Sequence, residues 1–190
     1  MTEAPRDWLP GEEWRLGPDG IPFRRAARVL LLDAEDRVLL VRGHDAHQVE
    51  RTWWFTVGGG IDPGESPRAA AAREVAEETG LRIDPELLQG PVATRRAVFD
   101  FYARSVRQDE VFFLARLDRV VGDAELDRTG WTDVERSFMD EVAWWRPEDL
   151  ASVEVELFPV ELVELLAWLR PGWDGSVREL GTQVEGTAVG

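Results

Sequence analysis

The chain has 190 residues, 44% of them hydrophobic, and a formal net charge of −15. Its length and apolar content predict one catalytic-size domain with extensions, and its charge argues against a nucleic acid polymer as partner, because the polymer's phosphates would be repelled. The sequence has no cysteine, no signal pattern and no apolar run long enough to span a bilayer. These features predict a soluble cytoplasmic protein without disulfides, thiolate metal sites or a membrane partner.

The first half of the chain begins with short β-rich runs. Residues 28–33 and 37–42, "RVLLLD" and "RVLLVR", predict a hairpin with a three-residue turn at 34–36. The run "WWFTV" at 53–57 predicts a third strand that ends at three consecutive glycines.

The second half predicts further strands and one helix. Residues 92–117 hold the runs "AVFDFYA" and "EVFFLARL", separated by the polar "RSVRQD", which indicates a second strand pair. A polar stretch with a helical turn after Thr132 follows, "VAWW" at 142–145 predicts a final strand, and the apolar spacing at 159–169 predicts a packed helix. We therefore expect an α/β domain at 26–170, between an N-terminal extension at 1–25 and a C-terminal tail at 171–190.

The segment 58–81, "GGGIDPGESPRAAAAREVAEETGL", predicts a loop followed by a helix at 67–79. Ser66 can cap the free amides of the first turn, and Pro67 suits the first helical position, where no amide partner is needed. Gly80 suits the end of the helix.

The three glutamates of this helix, Glu74, Glu77 and Glu78, lie within an arc of about 100° on one face, opposite alanine and valine. Each pair would repel by about 3 kcal/mol at an effective dielectric constant of about 20. Hard divalent ions make the same arrangement favourable, because they bind several carboxylate oxygens at once. The pattern therefore predicts a carboxylate-lined Mg²⁺ site.

The glycine-rich loop before the helix suits such a site. Its three consecutive glycines, 58–60, permit close backbone approach and a carbonyl turned toward an ion. Glu65 would stand just ahead of the helix, and Arg73 could hold Glu65 or Glu77 through a forked hydrogen bond. We expect a loop and helix unit with an ion at its acidic face.

This segment resembles the sequence motif of the Nudix hydrolase family. Every fixed place of the motif is filled, by Gly59, Glu65, Arg73, Glu74, Val75, Glu77, Glu78, Gly80 and Leu81. One departure is Val57, where many members have proline before the double glycine. The resemblance implies an α/β/α sandwich with a mixed β-sheet between helices, from about Ala26 to Leu169. It also implies an enzyme that hydrolyses the diphosphate linkage of a nucleoside diphosphate joined to another group.

The same resemblance implies roles for individual residues. It places the metal on carboxylates of the helix and a carbonyl of the loop, with Glu77 and Glu78 as main ligands, Glu74 as a ligand or the general base, and Gly58 or Gly59 as the source of the carbonyl. Glu65 and Arg73 would brace the loop. The cofactor would be Mg²⁺, with Mn²⁺ as an alternative, and it would activate a water for in-line attack on phosphorus.

Many Nudix proteins recruit one more glutamate from beyond the motif, and three positions are candidates here, Glu110, Glu135 and Glu141. A strand-edge charge is the alternative for Glu110. Thr132 and Glu135 fit a capping box, so a structural role is equally open for Glu135. His44 and His47 show no ligand pattern and are interpreted as loop residues.

The substrate is less closely defined. The proline that marks the ADP-ribose subgroup is missing, with Arg96 and Ala97 at the corresponding places, and Tyr102, the single tyrosine, lies too far along for the diadenosine-polyphosphate pattern. A (deoxy)nucleoside triphosphate or a general nucleotide derivative is therefore the default small-molecule substrate. The alternative function is a nucleotide-sensing Nudix module without catalysis.

Two further properties are open at this stage. Trp53, Trp54 and Phe99 are interpreted as packing residues, with stacking on a nucleobase as the alternative, so no substrate-binding residue is assigned. Homodimers are common among similar proteins, and the extension before Phe23 could exchange between subunits of such a homodimer.

Overall fold

One mixed β-sheet organises the part of the chain that the computed structural model describes, residues 11–45, 48–101 and 104–185. Its nine strands are β1 (Arg15–Leu16), β2 (Pro22–Leu32), β3 (Val38–His44), β4 (Thr52–Gly60), β5 (Gln89–Phe101), β6 (Arg104–Arg116), β7 (Met139–Trp145), β8 (Glu156–Phe158) and β9 (Arg178–Glu185). The α-helices in the same residues are α1 (Pro67–Thr79), α2 (Asp133–Arg136), α3 (Pro147–Leu150) and α4 (Leu162–Leu169).

The sheet has the order β7, β3, β4, β2, β6, β5, β9, with β1 paired to β2 and β8 paired to β4. The β2 to β6, β4 to β8 and β5 to β9 pairs are parallel, and the other pairs are antiparallel. Strands β4, β2 and β6 therefore lie at the centre. The mixed sheet that the resemblance implied is confirmed.

Helices cover both faces of this sheet, which confirms the expected α/β/α sandwich. Successive residues of β2 point to opposite faces, as in any strand. Val29 and Leu31 are buried with the apolar face of α1, whereas Leu30 and Leu32 are buried with the leucines of α4. Because both faces are covered here, residues 29–32 of β2 form a continuous apolar run rather than an alternating one.

The prediction that residues 28–33 and 37–42 pair as the two strands of a hairpin is wrong. Only Leu32 and Val38 pair across it, because β4 inserts between β2 and β3 in the sheet. The turn itself is present, and Asp33 holds it by accepting hydrogen bonds at 3.0 Å from the backbone N–H groups of Glu35 and Arg37.

Strand β4 does not end at the three glycines, as the sequence predicted, but runs through them to Gly60. Residues 58–60 pair with residues 26–28 of β2. A Cβ atom at Gly58 would lie 2.2 Å from the carbonyl oxygen of Ala27. Glycine at this position therefore serves close approach of two strands rather than a turn.

The polar "RSVRQD" is not a break between strands but the beginning of β6. Val106, Gln108 and Glu110 are buried and alternate with more exposed residues, as on a strand with one covered face. The prediction failed because two of the three inward-facing side chains are polar. Tyr102 and His47 lie outside the described residues.

The helix predicted at 67–79 is confirmed as α1. Ser66 Oγ accepts a hydrogen bond from the Ala69 N–H at 3.2 Å, and Gly80 ends the helix with a φ of 76°. The turn after Thr132 is α2, and the C-terminal helix α4 begins at Leu162 rather than at residue 159. No α-helix in the described residues has the length and apolar character needed to cross a membrane.

Both terminal segments contribute to the sheet. Segment 171–190, expected as a tail, contains β9, which lies parallel to β5 at the sheet edge. Strand β9 is polar and mostly exposed, so its sequence carries little of the apolar alternation that indicates a strand. Strand β7 is therefore not the final strand, and β2 already begins at Pro22, inside the expected extension.

Candidate active site

Three carboxylates converge beside the C-terminal end of the central strand β4. One oxygen each of Glu74, Glu78 and Glu135 lies within 4.8 Å of the others. Glu74 and Glu78 are buried, with 6% and 3% of their surface exposed, and Glu135 is partly buried. We refer to these three residues as the acidic cluster.

The glycines of β4 make room for the acidic cluster. A Cβ atom at Gly59 would lie 2.6 Å from one carboxylate oxygen of Glu74, so a side chain there would displace this carboxylate. The Gly58 N–H donates a hydrogen bond to Glu78 Oε2 at 2.8 Å. The glycine run thus places backbone directly against both buried glutamates.

Burial gives the two glutamates of α1 unusual acidities. It raises the pKa of Glu74 to about 7, with the charge of Arg73 opposing the rise and that of Glu77 adding to it. Burial and the charge of Glu74 raise the pKa of Glu78 well above its ordinary range. Ionised carboxylates at this site therefore need a cation, and an all-oxygen donor set fits a hard divalent ion such as Mg²⁺.

Arg73 organises the loop ahead of α1. Its guanidinium donates to both oxygens of Glu65, at 3.0 Å and 2.9 Å, and to the carbonyl of Gly60 at 2.9 Å. It also reaches Glu74 at 2.8 Å and Glu77 at 3.0 Å, so the predicted forked hydrogen bond to Glu65 and the contact to Glu77 are both present. The hydrogen bonds from Arg73 lower the pKa of Glu65.

Glu77 occupies a different environment from its neighbours on α1. Its side chain is 50% exposed and lies against Arg73, outside the acidic cluster. The expectation that Glu77 and Glu78 are the main metal ligands stays a prediction, and in the geometry Glu74 and Glu78 share the buried position. Glu77 differs because its carboxylate accepts a hydrogen bond from Arg73 at 3.0 Å on the more exposed side of the helix.

Glu135 comes to the cluster through the segment that follows β6. The indole N–H of Trp131 donates to the carbonyl of Glu78 at 2.8 Å, and the Asp127 N–H donates to the carbonyl of Thr79 at 2.9 Å. A Cβ atom at Gly130 would lie 2.3 Å from the carbonyl of Glu77, so the segment packs tightly on α1. These contacts bring α2, and with it Glu135, beside Glu78.

The capping box predicted for Glu135 is also present. Glu135 Oε2 accepts hydrogen bonds from the Thr132 N–H at 2.7 Å and from Thr132 Oγ1 at 2.8 Å. These capping contacts use only one carboxylate oxygen of Glu135. A structural role as a cap and a role as a metal ligand are therefore compatible in this residue.

The other two candidate acids lie outside the acidic cluster. Glu110 is buried between Arg28 and Arg95, so it is not the strand-edge charge offered as the alternative, because β6 lies inside the sheet. Burial alone would raise the pKa of Glu110, but the charges of the two arginines outweigh it and lower the pKa. Glu141 lies on β7 and faces Arg42 at 3.8 Å.

A model of the NUDIX domain matches residues 22–169. The chain belongs to the Nudix hydrolase family. The RNA pyrophosphohydrolase of Erythrobacter litoralis (strain HTCC2594) is 30% identical over 148 residues, which cover 70% of this chain and 81% of that protein.

Other relatives of this Nudix protein match over shorter stretches. The RNA pyrophosphohydrolase of Rhodopseudomonas palustris (strain BisB18) is 42% identical over 66 residues, 34% of this chain and 38% of that protein. The diphosphoinositol polyphosphate phosphohydrolase 3-alpha of Mus musculus is 37% identical over 73 residues, 38% of this chain and 42% of that protein. Most of the length of these two relatives therefore lies outside the match.

Solved Nudix-type structures agree with the fold. The MutT protein from Methanosarcina mazei Go1 superimposes with a TM-score of 0.53 at 19% identity, over 80% of this chain and 95% of that one. A C. elegans Ap4A hydrolase binary complex gives a TM-score of 0.52 at 18% identity, over 77% and 95% of the two chains. At these identities the comparison establishes the fold alone.

The acidic cluster of this Nudix protein opens into a cleft of about 650 Å³. Trp53 and Phe99 line the cleft, whereas Trp54 is buried and packs edge-on against Trp145, with ring centroids 5.1 Å apart. His44 also lines the cleft and contacts Asp140 at 2.9 Å. The sequence analysis interpreted Trp53, Trp54 and Phe99 alike, whereas in the structure only Trp53 and Phe99 of the three line the cleft.

Three arginines of the cleft were missed by the sequence interpretation. Arg24 and Arg28 lie four residues apart on one face of β2, and Arg95 lies on β5, two strands away. Arg24 donates to Gln108 at 2.6 Å and to Glu13 at 3.2 Å, and burial together with the charge of Arg28 lowers its pKa. The even spacing of Arg24 and Arg28 was only a weak signal, because Arg24 lies outside the strand predicted at 28–33 and the spacing does not show which strand lies alongside.

Proposed function

We propose that this Nudix protein is a Mg²⁺-dependent pyrophosphohydrolase that cleaves the diphosphate linkage of a nucleoside diphosphate joined to another group, a class that includes (deoxy)nucleoside triphosphates. The observation that supports the proposal most directly is the acidic cluster, with its two buried carboxylates at the floor of a cleft of nucleotide size. Mn²⁺ is the alternative ion for the same oxygen donors.

The proposed metal ligands are the carboxylates of Glu74, Glu78 and Glu135, with Glu77 as a more exposed ligand and a carbonyl of Gly58 or Gly59 as a further one. The Gly58 carbonyl accepts a hydrogen bond from Arg28, which makes Gly59 the better candidate of the two. When bound, a divalent ion would supply neutralisation of the diphosphate and increased acidity of a water.

The chain's own groups supply positioning and proton transfer. Arg73 holds Glu65, Glu74 and the Gly60 carbonyl in one network, so the loop and α1 keep a fixed relation during the reaction. As the alternative to binding the ion, Glu74 is the general base, which would accept the proton of the attacking water. The water oxygen then bonds to phosphorus, the bond from phosphorus to the bridging oxygen breaks, and the leaving group departs with that oxygen as a phosphate or a diphosphate.

A small nucleotide fits the cleft better than the end of a long RNA does. Two relatives are named for RNA, but the described residues that line this cleft include ten carboxylates and four arginines, and the whole chain carries a charge of −15. A polymer would bring many phosphates to a surface on which carboxylates outnumber the arginines that could receive them. A cytoplasmic location remains part of the proposal, as expected for a chain without cysteine.

The test is a hydrolysis screen over nucleoside diphosphate derivatives, nucleoside triphosphates and a 5′-triphosphorylated RNA, each with Mg²⁺. Wild type is compared with Glu78→Gln and with the control Glu164→Gln, which makes the same change at an exposed position of α4. We expect product from wild type and the control but not from Glu78→Gln. Nucleotide binding without product in any of the three would identify a sensing module instead.

A homodimer remains a separate proposal. Strand β1 pairs with β2 of its own chain, so residues 15–16 take no part in an exchange in this arrangement. Equilibrium sedimentation tests the dimer, and a monomer at micromolar concentration would remove it.

A further inference from the structure

The C-terminal strand β9 forms part of the cleft although it lies beyond the residues that match the NUDIX domain. It runs parallel to β5, with Ala97 opposite Gln183 and Phe99 opposite Glu185. Glu185 lines the cleft, whereas Glu179 on the same strand is exposed and does not. Strand β9 thus adds the Glu185 carboxylate to the cleft from outside the residues that match the NUDIX domain, 22–169.

Glu185 ends a chain of ion pairs that begins beside the acidic cluster. Arg28 donates to Glu110 at 3.1 Å, and Arg95 contacts the other oxygen of Glu110 at 2.6 Å. Arg95 in turn contacts Glu185 Oε1 at 2.6 Å and donates to Gln183 Oε1 at 2.9 Å. Only 4% of the Arg95 side chain and 15% of that of Glu185 are exposed, so solvent screens these charges weakly.

The charges of this chain balance only because Glu185 is present. Arg28, Arg95 and Glu110 alone would carry one net positive charge at the cleft. This charge would attract the negative charge of a phosphate group. With an ionised Glu185 the four side chains are neutral. The other cleft arginines among the described residues, Arg24 and Arg73, already contact carboxylates.

We propose that Glu185 is a specificity-determining residue, which lowers the affinity of the cleft for anions with additional phosphates relative to substrates with a single diphosphate linkage. The inference deepens the proposed function, on which it rests for the identity of the anion. Within the proposed substrate class, it ranks diphosphate-linked compounds ahead of triphosphates.

The experiment measures binding of ADP and ATP by calorimetry in EDTA, so that neither metal nor turnover enters. Burial raises the pKa of Glu185 to about 7, against the opposing charge of Arg95, so the titrations are made about one unit above this value, where the carboxylate is ionised. The proteins are wild type, Glu185→Gln and the control Glu179→Gln, which removes the same charge from the exposed part of β9.

We expect Glu185→Gln to bind ATP about fivefold more tightly than wild type at low salt, with a smaller gain for ADP, because one repulsive charge is removed from a weakly screened site. High salt should reduce the gain, and Glu179→Gln should bind as wild type does. Equal, weaker or unmeasurable binding of ATP by Glu185→Gln overturns the proposal, as does an equal gain in Glu179→Gln.

A second variant covers a failure of Glu185→Gln to fold. Gln183→Glu adds a carboxylate of the same shape beside Arg95 and should weaken ATP binding by about the same factor. Unchanged or tighter binding in this variant also overturns the proposal. Since binding is measured without turnover, a protein that binds as expected but hydrolyses nothing would refute the proposed function and leave the role of Glu185 intact.

Discussion

The backbone N–H of Gly58 donates a hydrogen bond to Glu78 Oε2 across 2.8 Å and so joins the central strand β4 to helix α1 at the acidic cluster. The main-chain carbonyl of the same glutamate accepts a hydrogen bond from the Trp131 indole N–H at 2.8 Å. Glu78 is therefore held by two different parts of the chain, its carboxylate by Gly58 and its main chain by Trp131.

Glu78 is buried and its carboxylate is held by Gly58, whereas Glu77 is half exposed. Substitutions of these two glutamates should therefore lower activity by unequal factors. Glu78→Gln should lower kcat at saturating Mg²⁺ by about 100-fold or more, because it removes charge from a buried position in the cluster. Glu77→Gln should cost less than about tenfold, since Glu77 is half exposed and its contact with Arg73 is worth little. Magnesium titrations of initial rate check both variants. Equal losses, or a greater loss for Glu77→Gln, would contradict the geometry.

The contact between Gly59 and Glu74 predicts a loss of activity without unfolding. In Gly59→Ala the new methyl group would lie 2.6 Å from the Glu74 carboxylate, which must move away. A displacement of about 1 Å lowers turnover by about 100-fold, whereas the melting temperature should change little because the displaced group is the end of a flexible side chain. Gly122→Ala is the control, since its added Cβ approaches only Glu125, at 3.9 Å. Wild-type turnover in Gly59→Ala would refute the assignment of Glu74.

Glu135 offers a test that separates capping from catalysis. Glutamine at this position keeps an oxygen for the Thr132 N–H, so Glu135→Gln should retain wild-type stability to urea. Its activity should nevertheless fall by about tenfold or more, because a neutral amide is a poorer ligand than a carboxylate. Glu135→Ala should lose the activity and also about 1 kcal/mol of unfolding free energy. Full activity in Glu135→Gln would leave Glu135 with the capping role alone.

The raised pKa of Glu74 predicts how the metal-free protein responds to pH. Its value in the folded protein, about 7, lies above the ordinary value of 4.5, so folding favours the protonated carboxyl. This stabilisation is fully present below pH 4.5 and is lost as the pH rises through about 7. In EDTA, the melting temperature should therefore fall by about 5 °C between about pH 5 and about pH 8 beyond any fall in Glu74→Gln.

Magnesium should reverse that fall at the alkaline end, because it binds the ionised carboxylates. The comparison is a set of melting curves for wild type and Glu74→Gln, each with EDTA or with excess Mg²⁺. Parallel curves for the two proteins in EDTA would show that Glu74 does not titrate as described, and a melting temperature unaffected by Mg²⁺ would remove the metal from the cluster.

The parts of the fold that sequence predicted well are those whose signals are local. Ser66, Pro67 and Gly80 define α1 because caps and helical positions act within a few residues of each other. The strands were misjudged where an inward-facing residue is polar, as at Gln108 and Glu110, since their burial depends on arginines from β2 and β5. The alternation rule has no means of identifying those partners.

The residues of the candidate site also divide into those with local sequence signals and those placed by long-range contacts. The motif places Glu74 and Glu78 on one side of a helix from spacing alone. Glu135 and Glu185 reach the cleft only through long-range packing, by the Trp131 contact in one case and by the pairing of β9 with β5 in the other. Sequence could propose Glu135 as one of three acids, but nothing local distinguished it from Glu110 or Glu141.

The pairing of Arg28 with Glu110 also has a consequence for biosynthesis. The two residues are 82 positions apart, so a ribosome that adds about 5–20 residues per second leaves Arg28 without its partner for about 4–16 seconds. During that interval strand β2, with its apolar residues 29–32, has no β6 beside it and presents an open edge to other nascent chains. Delayed translation between these two codons should therefore increase aggregation of newly made protein.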